Sequence, residues 1–229
     1  MKPMNGDKKQ PEWFRISGDE SFTLYSKFRR TKGVLDTVGT IAYELRAEQE
    51  QAVSQTFDYF MSHEKGEFLW NAKPRFGKTL ATYDLCKRLQ STKGDYACNI
   101  LIVTNRPAIA NSWYEDFVKF IGTESGFRFV SEVSALKGKP FVMSREEYTD
   151  SLTKELADCI EFVSLQDLKG SLYFGGQHDK LKELVNMQWE LLVIDEAHEG
   201  VDTSKTDVAF HQIKRNHTLH LSGLSLIHI

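Results

Sequence analysis

FLWNAKPRFGKTLATYDL, Phe68 to Leu85, is the stretch on which the fold turns. It opens as an apolar strand-like run and closes as an amphipathic helix-like one. Between them AKPRFGKT, Ala72 to Thr79, has the spacing of a phosphate-binding loop. A tight loop entering a helix turns successive N–H groups inward, and the helix N-terminus adds the positive end of its dipole. Gly77 stands where bulk is least tolerable, Lys78 would reach the outer phosphates, and the Thr79 hydroxyl would ligate magnesium. Ala72 replaces the usual first glycine, and Pro74, Arg75 and Phe76 follow Lys73 in the middle of the loop. Pro74 removes one N–H donor, so the cradle is expected to depend on Gly77, Lys78, Thr79 and the helix N-terminus. The competing reading is a cationic turn that caps a core strand.

The surroundings of the loop extend the same pattern. Upstream, IAYELRAEQEQAVSQTFDYFM carries Ala52, Val53, Phe57, Phe60 and Met61 as a helical stripe. Short apolar runs at EFLWNA, NILIVT, FRFVSEV, CIEFVSL, ELLVID and TLHLS then alternate with helix-like stretches near residues 78–91, 107–121, 145–157, 177–188 and 203–214. Strands apolar on both faces, alternating with helices, predict an α/β domain with a mainly parallel sheet covered by helices on both faces. Such sheets bind ligands at the carboxyl ends of their strands.

ELLVID ends in the second chemical signal, Asp195-Glu196-Ala197-His198. A buried strand that closes on adjacent carboxylates requires a cationic partner. Magnesium carried with ATP would supply one. Asp195 would hold the metal, largely through water, and Glu196 would position and deprotonate an attacking water.

Taken together these residues resemble the superfamily 2 helicases and translocases, in particular the DEAH-type motors of type III restriction-subunit-like proteins. The resemblance runs from about Leu45 to Gly223. LRAEQEQAV is similar to the adenine-recognition segment, AKPRFGKT to motif I, VTNRPAIANSW to motif Ia, FVSLQDL to the next strand-end motif, VIDEAH to motif II and LHLSG to motif III. The resemblance implies a RecA-like P-loop NTPase domain that uses ATP and magnesium. It gives Gln49 the adenine edge, Arg46 a supporting role, Lys78 and Glu196 catalysis, and Thr79 and Asp195 the magnesium. Thr104, Asn105, Arg106, Ser164 and Gln166 would lie on the face that tracks a nucleic-acid strand, mainly through its backbone. His198 and Ser222 would couple that face to the nucleotide. Two simpler readings stay open beside these: Arg106 before Pro107 opening a helix, and Ser164 capping the short QDLKG turn.

The expected organisation is an accessory segment over 1–40, a first RecA-like domain over 41–223, and an aberrant or truncated tail over 224–229. In the accessory segment Trp13, Phe14, Phe22, Tyr25 and Phe28 would pack on something larger, and SKFRRTKG reads as a basic turn or a backbone grip. The family pattern continues after LHLSG with Thr-Pro and a second RecA-like domain, whereas Leu224 stands here in the threonine position. On that ground the isolated chain is expected to turn ATP over poorly and to need a second domain or partner subunit. DNA is the expected nucleic acid, in a restriction or mobile-element system. An ATP-responsive clamp without sustained hydrolysis is the alternative, and a P-loop enzyme acting on a small molecule is disfavoured by TNRP and SLQD at strand ends.

Composition sets the outer bounds. The 229 residues are 41% hydrophobic, enough for one sizeable core or one core plus a small appendage, and the net charge of -3 argues against a chain dominated by phosphate neutralisation while leaving nucleic acid open through a local basic groove. Cys86, Cys98 and Cys159 form no CxxC pair and read as buried free thiols. MKPMNGDKKQPEW lacks a signal-peptide core, and no run reaches the roughly 18 apolar residues of a membrane span, so a cytoplasmic protein is expected. His217 and His220 fit strand alternation better than a metal site.

Overall fold

The computed structural model describes residues 2–3, 14–15, 42–94, 96–105, 107–122, 125–152, 158–196 and 210–223. The chain divides into two compact units, Met1–Gly39 and Thr40–Ile229. In the first, β1 (Lys2–Pro3) pairs antiparallel with β2 (Phe14–Arg15). The other aromatic and basic residues named above for 1–40 lie outside the described residues, as do Arg106, His198 and the tail over 224–229.

In the second unit the strands are β3 (Gly66–Asn71), β4 (Asn99–Thr104), β5 (Arg128–Val130), β6 (Val142–Met143), β7 (Cys159–Ser164), β8 (Trp189–Asp195) and β9 (Arg215–Ser222). They form one sheet in the order β3-β9-β8-β4-β7-β5-β6, and every pairing is parallel. The helices are α1 (Ala47–Met61), α2 (Lys78–Thr92), α3 (Ala110–Phe120), α4 (Arg145–Leu152), α5 (Leu165–Gly170) and α6 (Lys182–Asn186).

Strand alternation splits the apolar residues into two cores. Ile100, Ile102, Ile160, Phe162, Leu191 and Val193 point to one face, where Val53 and Phe60 of α1, Leu85 of α2 and Phe117 of α3 meet them. Leu101, Val103, Val163, Leu192 and Ile194 point to the other, against Tyr148 of α4, Leu168 of α5 and Leu184 of α6. Helices therefore cover both faces, as the doubly apolar strands require. The three cysteines are buried and unpaired. No helix among the described residues is long and apolar enough to cross a membrane.

The structure departs from the sequence expectations in four places. FRFVSEV is a strand only over Arg128–Val130, because Val133 already leads into a 3-10 turn over Ser134–Leu136. The edge strand β6 was not foreseen, since two residues carry no period. The helix expected over 177–188 is confined to Lys182–Asn186, with Leu181 before it at a left-handed φ of 65°. Met61, at the end of the α1 stripe, is 46% exposed.

The register places several candidate residues in one transverse row. Thr104 lies opposite Ser164 on one side and Asp195 on the other. Farther along the sheet Asn71 pairs with Ser222. Neighbouring strands run about 4.8 Å apart, so the carboxyl end of the sheet presents these residues as a ladder of short steps.

Candidate functional site

The loop after β3 is shaped by its backbone. Arg75 has φ 68° and Gly77 φ 80°, both left-handed, and Gly77 is the cap from which α2 starts at Lys78. A Cβ on Gly77 would come within 2.6 Å of Gln49 Nε2, so the side chain of glycine alone fits that turn. Lys73, Pro74 and Arg75 are exposed, while Ala72 is buried against the sheet end and its N–H donates to the Ser222 carbonyl at 2.9 Å. Phe76 N–H donates to the Lys73 carbonyl at 3.1 Å, a turn bond internal to the loop.

α1 supports the loop from outside. Gln49, 3% exposed, donates through Nε2 to the Phe76 carbonyl at 2.7 Å, and its Oε1 accepts from Arg46 N–H at 2.9 Å. The Arg46 guanidinium reaches the Arg75 carbonyl at 3.0 Å and also the Phe76 carbonyl. Both residues that the resemblance assigned to the adenine segment thus grip the loop backbone. A groove of about 600 Å³ continues from there between Arg46, Glu48, Phe68, Leu69, Arg75 and Phe76.

Across from the loop, β8 delivers the two acidic residues. Lys78 Nζ and Glu196 Oε1 form an ion pair at 2.9 Å, with both side chains mostly covered. Glu196 itself has φ 53°, a left-handed value that lifts it off the strand line, so it diverges from Asp195. Asp195 is 7% exposed and accepts two N–H donors, Trp113 Nε1 on Oδ2 at 3.2 Å and its neighbour Glu196 N on Oδ1 at 3.0 Å. Burial pushes the Asp195 carboxyl above its ordinary range, while Lys78 and then the Trp113 hydrogen bond oppose that rise.

A cleft of about 370 Å³ is enclosed by the loop from Ala72 to Thr79 together with Glu196 and Gly223. A Cβ on Gly223 would stand 3.4 Å from Lys78 Nζ and 3.6 Å from the Glu196 carboxylate oxygens. The donor set therefore fits a nucleotide triphosphate with a hard divalent cation: backbone N–H groups and an ammonium for phosphate, a hydroxyl and a carboxylate for the metal. A second cleft of about 500 Å³ opens beside Lys65, Glu67, His211, Lys214 and Arg215, at the amino ends of β3 and β9. It lies at the end of the sheet where parallel α/β folds do not place their chemistry.

The residues expected to face nucleic acid divide by exposure. Gln166 is exposed and Asn105 partly so, whereas Thr104 is 1% and Ser164 5% exposed. Ser164 is the N-cap of α5, accepting from Asp167 N at 3.0 Å and donating to Asp167 Oδ2 at 2.7 Å. Trp113 is the site residue that sequence reasoning passed over. The stretch NSW lies within the motif Ia resemblance, but only the fold brings its indole to β8.

Comparison with known proteins completes the picture. A family model described as type III restriction enzyme, res subunit, matches residues 42–225. A curated protein of Mycoplasma pneumoniae is 25% identical over 179 residues, covering 76% of this chain and 22% of that protein. It is named as the C-terminus of a type II restriction enzyme and methyltransferase, RM.MpnORF110P, an assignment its name marks as provisional. This chain thus spans about a fifth of that relative's length. Among solved structures, a nuclease-deletion mutant of the Type ISP restriction-modification enzyme LlaGI with a DNA substrate mimic superposes with a TM-score of 0.58 at 15% identity, covering 81% of this chain and 18% of that one. The Sulfolobus solfataricus SWI2/SNF2 ATPase core with double-stranded DNA gives a TM-score of 0.53 at 17% identity, over 80% of this chain and 33% of that one. These likenesses establish the RecA-like α/β fold. With the family model spanning most of the second unit, the chain belongs to the type III restriction enzyme res-subunit family and carries its superfamily 2 helicase-type motor domain.

Proposed function

We propose that the chain is the ATP-binding half of an ATP-dependent DNA helicase or translocase of a restriction-modification system. The observation that carries this reading is the cleft in which Lys78, Thr79 and Glu196 meet at the start of α2, with Asp195 one residue behind on β8. Two adjacent pairs from distant parts of the sequence, Lys78-Thr79 and Asp195-Glu196, come to this end of the sheet, an arrangement that supports phosphoryl chemistry.

The geometry supports the following division of labour. Thr79 and Asp195 would hold magnesium, which supplies charge neutralisation at the phosphates. Lys78 exchanges its Glu196 partner for phosphate oxygen when a triphosphate enters. That exchange releases the Glu196 carboxylate, which then orients water and accepts its proton. Gln49 retains one amide N–H beyond its bond to Phe76, and this serves an adenine ring nitrogen, while Arg46 fixes the loop against the groove. On the neighbouring strand ends Asn105 and Gln166 contact the nucleic-acid backbone, and the Ala72–Ser222 bond joins the phosphate loop to the end of β9.

A clamp that binds ATP without sustained hydrolysis is the second reading. It is favoured by one observation: Glu196, the proposed base, and the Lys78 cation neutralise each other at 2.9 Å. ATP and single-stranded DNA binding, measured by calorimetry and anisotropy, test both readings. Retention of ATP affinity in Lys78→Ala removes the loop from the site, and DNA-stimulated turnover in the unsubstituted protein rejects the clamp.

A further inference from the structure

Trp113 sits on α3, 82 positions before Asp195 in the chain, and is 3% exposed. An indole N–H is donor only, so when buried it needs an acceptor and cannot exchange roles with it. Here the acceptor is Asp195 Oδ2, at 3.2 Å. The other oxygen, Oδ1, takes the backbone N–H of Glu196 at 3.0 Å. One donor on each oxygen fixes both the position and the plane of the carboxylate, because rotation about its terminal bond would break both contacts.

Trp113 is itself held by Tyr83. Tyr83 of α2 donates its hydroxyl to the Trp113 carbonyl at 2.6 Å, and the two rings pack edge to face with centroids 5.5 Å apart. Tyr83 is fully buried and lies four residues along the helix from Thr79. The aromatic pair therefore ties the helix that presents the Thr79 hydroxyl to the strand that presents the Asp195 carboxylate.

We infer that Trp113 is a positioning residue for the magnesium site, holding Asp195 in the orientation needed to receive the cation beside Thr79. The inference rests on the reading of this cleft as a magnesium-nucleotide site. Its logic is that of any ligand braced by a neighbouring donor, where loss of the brace typically weakens metal affinity by ~10- to 100-fold without removing a ligand. Shape alone does not require the nitrogen: a phenyl ring would fill most of the same space between Tyr83 and β8.

Trp113→Phe tests the assignment in the full chain. ADP affinity is measured across a magnesium titration and in chelator. The expected result is a rise of about tenfold in the magnesium concentration giving half of the metal-dependent gain. Affinity in chelator stays within about twofold, since the indole touches no nucleotide group. In an Asp195→Asn background the same substitution should no longer shift the midpoint. A second measurement needs no change at Trp113. In the 15N spectrum of the four tryptophan indoles, one signal is expected to move both in Asp195→Asn and on adding magnesium with ADP. An unshifted midpoint in Trp113→Phe, or four indole signals indifferent to Asp195→Asn, overturns the positioning role. Absence of any magnesium effect on the unsubstituted protein overturns the reading of the cleft itself, and this inference with it.

Discussion

Lys78 of α2 and Glu196, the residue after β8, 118 positions apart in sequence, hold each other at 2.9 Å. Each is the other's counter-charge in the cleft, so on the proposed function an incoming phosphate would compete with a carboxylate for one ammonium. Glu196→Gln removes that competitor's charge. ATP binding is expected to persist or tighten modestly, while turnover falls by about 10²- to 10⁴-fold, the usual contribution of a positioned base. Equilibrium binding and single-turnover hydrolysis separate these effects, and undiminished turnover would take Glu196 out of the role of base.

Lys78→Ala leaves the opposite imbalance. The Glu196 carboxylate stays and loses its cation, so the cleft becomes repulsive to phosphate. A charge-assisted hydrogen bond contributes about 1.5–3 kcal/mol, which corresponds to a loss of roughly 10- to 100-fold in ATP affinity. Calorimetric titration checks the figure.

Gly77→Ala probes the turn itself. The left-handed conformation costs a residue with Cβ about 1–2 kcal/mol, and the new methyl meets Nε2 of Gln49, a side chain held by one hydrogen bond through Nε2 and another through Oε1. Melting should drop by about 2–4 °C per kcal/mol lost in a domain of this size. Nucleotide affinity should fall with it. An unchanged melting temperature would mean that the loop does not adopt this turn in solution.

Ser164 and Gln166 allow structural and binding roles to be told apart two residues from each other. Ser164→Ala removes the cap of α5 and should cost about 1 kcal/mol of stability. Gln166→Ala, on an exposed position, should leave stability unchanged and weaken single-stranded DNA. That affinity should itself fall steeply with salt, the logarithmic slope being about 0.7 for each phosphate contacted. A salt-independent affinity would place the DNA contact elsewhere.

Glu161 supplies a pH prediction away from the cleft. It is fully buried on β7, accepts from Arg145 Nε at 2.6 Å, and its Oε2 has no hydrogen-bond partner among the described residues. Burial pushes its carboxyl up from 4.5 to about 7, with Arg145 holding it partly back. Between those values the folded state binds more protons than the unfolded chain, so stability from this group is complete below pH 4.5 and is lost as pH rises through 7. At ~1.4 kcal/mol per pH unit the loss approaches about 3 kcal/mol. Denaturant unfolding across pH 4 to 8 should show wild type losing stability relative to Glu161→Gln between pH 4.5 and about 7, and levelling off above that. A difference flat across the whole range would contradict the assignment.

The sheet was legible because long apolar runs such as NILIVT and ELLVID admit few other structures, and their alternation with helices dictates parallel pairing. What escaped were the elements built from tertiary contact. β6 has only Val142 and Met143 to pair with β5, and the irregular chain before α6 ends at Leu181 in a left-handed conformation that no local pattern announces. At the cleft, residue types and spacing were enough to nominate Lys78, Thr79, Asp195 and Glu196. The Ser164 cap, a local bond to Asp167, was readable from SLQDLKG, but residue types and spacing could not show that Gln49 and Arg46 grip the loop backbone or that Trp113 reaches across to Asp195. Each of those depends on which helix lies against which strand, and that information is absent from any window of sequence.

Gly223 gives the cleft a mechanical property. The backbone leaving β9 passes so near the Lys78–Glu196 pair that a single added methyl would be in van der Waals contact with both partners. Ser222, just before it, is already tied through its carbonyl to Ala72 at the mouth of the phosphate loop. If the cleft takes a triphosphate as proposed, a displacement of the chain at this exit would reach within one residue the two charges that the phosphates must part. The junction would then act as a short lever arm, with load at one end and chemistry at the other.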